Sequence, residues 1–198
     1  MRVHLGSLEQ MRTFAEELAR YLRAGDLLIL TGNLGAGKTT FTQSLGRALD
    51  VSGRITSPTF IIAREHPSRS GGPALVHVDA YRLADGEELE DLDLDSELDE
   101  SITVVEWGAG MAEQLSTDYL EVTITPVWDE DDAVSADAGD AAEAESDSAD
   151  DADADDENED EQRTVDLTGH GASWTDRMPR VHAAIAALEG ITTEGDAS

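Results

Sequence analysis

The sequence predicts an α/β fold on a mixed β-sheet, and three observations predict it. First, the apolar run Leu27-Leu28-Ile29-Leu30 stops at Thr31-Gly32 and gives way to a glycine-rich loop ending in Lys38-Thr39-Thr40, after which Phe41, Leu45, Ala48 and Leu49 keep helical spacing. That is strand, loop, helix. Second, two further apolar runs, 75–78 and 102–105, each close on an acid, Asp79 and Glu106. Third, the strands expected over 55–66 and 74–79 are joined by a loop too short for a crossover helix, so they pair antiparallel and the sheet is mixed.

Taken in order, residues 2–5 read as a short edge strand ended by Gly6-Ser7. Ser7 with Gln10 three residues on is a capping-box signal for the first helix. Leu8, Met11, Phe14, Ala15, Leu18, Tyr21 and Leu22 then follow the i, i+3, i+4 spacing of one buried face, and Gly25 is a C-terminal stop. Residues 85–100 carry many acids among Leu89, Leu92, Leu94 and Leu98, the pattern of a short helix and a solvated loop. A brief helix is expected over 109–115, and 119–125 alternates Leu120, Val122 and Ile124 as a strand. Residues 163–167 resume as the partner strand of a hairpin. Residues 174–188 form the last helix, with Met178, Val181, Ile185 and Leu188 on one face, and the chain from Glu189 is expected to fray.

The loop carries the chemistry. Gly32, Gly37, Lys38 and Thr39 fit G-x-x-x-x-G-K-[ST]. Gly32, Gly35 and Gly37, with Asn33, Leu34 and Ala36 between them, allow successive backbone N–H groups to turn inward as a nest for phosphate oxygens. The helix that starts there adds unpaired N–H groups and its dipole. Lys38 supplies a flexible point charge for the β- and γ-phosphates of ATP, or the β-phosphate of ADP, and the Thr39 hydroxyl is placed for Mg²⁺. Of thirteen basic residues twelve are arginine, and Lys38 is the single lysine. Asp79, at a strand end, is either a turn residue or a carboxylate that holds magnesium. Glu106, followed by Trp107, is either a strand-end charge beside a core tryptophan or an acid that ligates the metal or orients the attacking water. Met11 is most simply core, although its place near a helix start would also suit contact with a nucleotide base.

Composition bounds the rest. Residues 129–162 hold 18 Asp or Glu in 34 positions, no Lys or Arg, and almost nothing apolar larger than alanine, so this stretch is expected to stay disordered and solvated. It reads as a spacer, with nucleic-acid mimicry or adaptation to salt as the other uses of such a tract. Of the net charge of −31, −13 remains on the other residues, so the folded part also repels a phosphate backbone and is a poor primary binder of nucleic acid. The chain has no cysteine, no signal-like segment after Met1, and no apolar run long enough for a bilayer. The expectation is a cytoplasmic protein without a membrane partner. One domain is expected in two parts, 1–128 and 163–190, interrupted by the acidic insertion 129–162 and followed by a flexible tail, 191–198.

TGNLGAGKTTF at 31–41, SPTF at 57–60, HVDAYRL at 77–83 and VVEW at 104–107 together closely resemble the TsaE family, bacterial P-loop ATPases needed to make N6-threonylcarbamoyladenosine (t6A) in tRNA. The resemblance covers roughly 1–126 and resumes at Arg163; the acidic tract departs from it. It implies a three-layer P-loop NTPase-like α/β domain, its sheet parallel at the centre with antiparallel flanking strands. It implies that Thr39 and Glu106 are magnesium-associated, that Asp79 is a Walker-B-like acid essential to turnover, and that Thr40 belongs to the same site. Ser57-Pro58-Thr59 matches a segment that senses the γ-phosphate, and Arg163 matches a basic residue near the nucleotide. The implied partners are TsaD and TsaB, with tRNA reached only through them, and the implied role of ATP hydrolysis is to reset the TsaD–TsaB complex. A small-molecule or nucleoside kinase on the same fold, or a nucleotide-gated interaction module, are the competing readings; no cluster of arginines suggests a kinase lid.

Overall fold

The computed structural model describes residues 1–56, 62–83, 85–90, 92, 98–127 and 162–194. In chain order the elements are β1 (Arg2–Leu5), α1 (Leu8–Ala19), β2 (Leu27–Thr31), α2 (Lys38–Ala48), β3 (Ala63–His66), β4 (Ala74–Asp79), α3 (Gly86–Glu90), β5 (Ser101–Glu106), a 3₁₀ turn (Ala112–Gln114), β6 (Tyr119–Pro126), β7 (Arg163–His170), α4 (Gly171–Ala186) and β8 (Thr192–Glu194). The strands form one sheet in the order β3-β4-β5-β2-β6-β7-β1-β8. Neighbours from β4 to β6 run parallel, while β3 on one side and β7, β1 and β8 on the other pair antiparallel. The expected α/β fold with a mixed sheet, parallel centre and antiparallel flanks is therefore the one found.

Central strands are apolar on both faces because both are covered. Leu28 and Leu30 of β2 and Val104 of β5 join Phe14, Leu18, Phe41, Leu45, Trp174 and Val181 from α1, α2 and α4 in the main core. Leu27, Ile29, Val78 and Val105 face the other way, onto Leu89 and Ala112 of α3 and the 3₁₀ turn. Among the described residues this second covering layer is thin. At the N-terminal end of β2, Asp26 receives two hydrogen bonds from Arg177 at 2.6 and 2.7 Å and one from the Arg23 backbone N–H at 2.9 Å. Arg177 also lies over the Trp174 ring. This buried clasp fixes α4 against the sheet.

Several boundaries differ from the sequence expectation. The last turn of α1 tightens to i→i−3 bonds after Ala19, so Tyr21 and Leu22 pack on the core from outside the helix. Of the strand expected over 55–66, Ala63–His66 is found as β3, and 57–61 lie outside the described residues. The acidic insertion, Gln162 excepted, also lies outside them. The chain end is more ordered than a fraying tail: Gln10 spans the gap by donating to the Gly190 carbonyl at 2.9 Å, and Thr192–Glu194 pairs with β1. Consequently β1 is not the edge strand. Backbone donors and acceptors left open on β1 recruit β8 despite its polar sequence. The last helix starts at Gly171, three residues early, without a side-chain cap that could have announced it.

Candidate functional site

The site forms where the C-terminal ends of β2, β4 and β5 meet the start of α2. Leaving β2, the chain turns at Gly32, whose φ of 149° is open to glycine and where a Cβ would collide with the Ile124 carbonyl of β6. Gly37, with φ 98°, caps α2. A Cβ there would lie 3.2 Å from Nε of Arg163, which places Arg163 beside the loop. Arg163 arrives through the β6–β7 hairpin, opposite Pro126. The antiparallel register thus brings a residue from beyond the insertion beside the glycine loop.

Lys38 is 4% exposed. Its Nζ donates to the carbonyls of Gly32 (2.8 Å) and Asn33 (2.9 Å) and lies 3.8 Å from the centre of the Trp107 ring. Burial pushes its pKa below the usual lysine value, while Glu106 and Asp79 act in the other direction. The cation thus already rests on the loop it would serve.

Asp79 and Glu106 are register partners on the parallel strands β4 and β5, so they end side by side. Asp79 accepts from the backbone N–H of Tyr81 at 3.0 Å, a local turn bond. Glu106 is only 2% exposed. Its Oε2 accepts from the Thr39 hydroxyl at 3.1 Å, and its Oε1 from Nε2 of His77 at 2.8 Å, with the Thr42 hydroxyl at 3.4 Å. One hydroxyl and two carboxylates are hard oxygen donors, and such a set suits Mg²⁺, which takes one or two carboxylates and completes its shell with phosphate and water.

These groups line an open cavity of about 540 Å³ between the loop, from Leu34 to Thr40, and a wall of Asp79, Tyr81, Arg82, Glu106 and Trp107, with Ile62 at one side. That volume is in the range of small-molecule sites. Trp107 adopts φ 62°, a backbone state that bulky residues rarely enter, and its N–H extends the ladder to the Leu30 carbonyl at 3.1 Å. The Tyr81 ring packs on it at 5.1 Å.

Of the residues singled out from sequence, Leu34, Gly35, Ala36, Gly37, Lys38, Thr39, Thr40, Asp79 and Glu106 share this cavity, and Gly32 and Asn33 hold Lys38. The Leu34 side chain, at the mouth of the loop, is 87% exposed. Thr59, with Ser57 and Pro58, lies outside the described residues. Met11 is 1% exposed in the core with Phe14 and Phe41, which removes it as a base contact. Sequence reading missed His77 and Thr42 as partners of Glu106, Tyr81 as an aromatic wall and Trp107 as the cover of Lys38. Only for Trp107, next to Glu106, was there a local signal.

A strand, a glycine loop holding its own lysine, a helix with a hydroxyl in its first turn and two acids on adjacent strand tips define a P-loop NTPase-like α/β protein. The family model described as threonylcarbamoyl adenosine biosynthesis protein TsaE matches residues 5–133. The chain is 50% identical over 165 residues to the tRNA threonylcarbamoyladenosine biosynthesis protein TsaE of Streptomyces coelicolor, covering 83% of this chain and 93% of that protein. It is 46% identical over 138 residues to the protein of the same name from Mycobacterium tuberculosis H37Rv (66% and 82% covered). Against that from Bacillus subtilis it is 37% identical over 124 residues (62% and 76%). The crystal structure of Bacillus subtilis YdiB superposes with a TM-score of 0.61 at 22% identity, covering 94% of this chain and 93% of that one, and supports the fold. The chain belongs to the TsaE family. No helix among the described residues is long and apolar enough to cross a membrane.

Proposed function

We propose that this protein is a Mg²⁺-dependent ATPase of t6A formation, hydrolysing ATP to ADP to reset a TsaD–TsaB complex between rounds of tRNA modification. The observation that carries the reading is the convergence of Lys38, Thr39, Asp79 and Glu106 on one cavity behind a left-handed glycine loop. In this reading the amides from Gly35 to Thr39 and the Lys38 ammonium bind the phosphates. Thr39, with Asp79 and Glu106 beside it, would hold Mg²⁺, which would supply charge neutralisation at the phosphoryl oxygens. The Thr39 hydroxyl donates its hydrogen bond to Glu106, which leaves its oxygen lone pairs for a cation. Asp79, beside Glu106 at the end of β4, is the second acid on the metal and water side of the cavity. Trp107 and Tyr81 form an apolar wall that limits water on one flank of the cavity. The acidic surface fits a protein that leaves tRNA to its partners, in the cytoplasm.

The experiment combines purified protein with TsaB, TsaD, tRNA and the threonylcarbamoyl donor, and counts modified tRNA per complex. ATP is expected to sustain many turnovers and a non-hydrolysable analogue only one. Equal multiple turnover with the analogue would overturn the ATPase role and leave a nucleotide-gated binding module.

A further inference from the structure

We infer that His77 is a positioning residue for Glu106: its ring N–H holds one carboxylate oxygen in the buried interior so that the other stays at the Thr39 hydroxyl, facing the metal position. The inference deepens the proposed function and rests on its reading of Glu106 as a metal-side acid.

The two side chains belong to neighbouring parallel strands. His77 lies two residues before Asp79, so both project from the same face of β4, and Asp79 is the register partner of Glu106. The ring is therefore diagonal to the carboxylate. It is 1% exposed and Glu106 is 2% exposed, so water does not compete for the 2.8 Å contact. A carboxylate only accepts, which makes Nε2 the protonated nitrogen of the ring in this contact. The other candidate anchor is weaker: Thr42 Oγ1, with a single proton to donate, lies 3.0 Å from the Lys38 carbonyl oxygen and 3.4 Å from Glu106 Oε1. Oε1 thus has one well-formed donor, His77, and Oε2 has Thr39 at 3.1 Å. Without the ring N–H, Oε1 keeps only the 3.4 Å Thr42 contact, and the carboxylate is held by Thr39 at one oxygen alone.

A buried polar pair contributes little net stability compared with apolar side chains of similar shape, so fold stability alone does not explain this one. Partners that orient a metal-ligating group do have a large effect, commonly 10–100-fold on metal affinity or activity when removed.

The test compares wild type, His77→Leu and His77→Gln, whose amide nitrogen can reach the place of Nε2. ADP affinity is measured by calorimetry in EDTA and across a Mg²⁺ titration, together with kcat and KM for ATP and the melting temperature. His77→Leu is expected to bind ADP in EDTA within about threefold of wild type, to need about 10–100-fold more Mg²⁺, and to lose kcat with KM little changed. His77→Gln is expected to restore most of both. Overturning results are a His77→Leu protein with wild-type Mg²⁺ dependence, or equal losses in EDTA and Mg²⁺ that His77→Gln does not repair. If wild type binds ADP with no Mg²⁺ dependence, the metal-side reading of Glu106 falls first and this inference with it.

Discussion

Replacing Lys38 by methionine keeps the aliphatic stem, removes the ammonium, and separates stability from ligand binding. In the folded chain Nζ makes two carbonyl hydrogen bonds, at 2.8 and 2.9 Å, and one ring contact. Charge-assisted bonds contribute about 1.5–3 kcal/mol each, and the ring about 0.5–2 kcal/mol. Against them stands the removal of the ammonium from water, on the order of several kcal/mol. The terms nearly cancel, so Lys38→Met is expected to shift stability by no more than about 1–2 kcal/mol, in either direction. Phosphate binding has no such cancellation. A unit charge pair 4 Å apart is worth about 4 kcal/mol at an effective dielectric of 20, and the loop bonds given up on reaching the ligand reduce that to about 3 kcal/mol. At about 1.4 kcal/mol per decade, ADP affinity should fall roughly 100-fold. Calorimetric titration at fixed ionic strength, paired with a thermal melt, reads both quantities. A Lys38→Met protein that melts like wild type and binds ADP within fivefold of it would refute the reasoning.

Gly37→Ala forces a Cβ into a left-handed residue and against Arg163, and should destabilise by about 1–2 kcal/mol in urea unfolding while weakening ADP binding. Gly110→Ala, at φ 84° with open space around it, isolates the backbone part, and an equal loss of ADP affinity in it would contradict the assignment. Removing one partner of the buried Asp26–Arg177 pair should cost about 3–5 kcal/mol, whereas Asp26→Leu with Arg177→Met should cost clearly less than the sum; additivity in that cycle would show the two act independently. His66 is buried with Nδ1 donating to the Ser52 carbonyl, and burial lowers its pKa below the ordinary 6.5. As pH falls the unfolded chain therefore binds the proton first, so the His66 contribution is constant above about pH 6.5 and turns unfavourable below it, by at most about 1.4 kcal/mol per pH unit. His66→Gln should flatten urea stability between pH 7 and 5 relative to wild type, and parallel curves would exclude this role.

The parts of the site that were legible in the sequence are those whose chemistry is local. Gly32 to Thr40 needs only its own backbone and the helix that follows, and Asp79 and Glu106 were visible because each ends an apolar run. What joins them is not local. That Asp79 and Glu106 sit side by side, and that His77 reaches Glu106, depends on the register of β4 on β5, which no short window encodes. Arg163 reaches the loop through pairing across the whole insertion, so position along the chain said nothing of its place. The strand β8 was missed because its polar residues form no periodic pattern; an open edge on β1 makes it a strand. Met11 was ambiguous for the opposite reason, since helical spacing marks the buried face without saying what covers it.

In the proposed function the loop around Lys38 grips the phosphates of ATP while Thr39, Asp79 and Glu106 govern its metal. A crystal structure of the protein with Mg²⁺ and a non-hydrolysable ATP analogue tests this most directly. The expected result is phosphate oxygens within hydrogen-bond distance of the 35–39 amides and Lys38 Nζ, with Mg²⁺ about 2.1 Å from the Thr39 hydroxyl and both acids around it. An analogue bound elsewhere, or a metal remote from both Asp79 and Glu106, would contradict it.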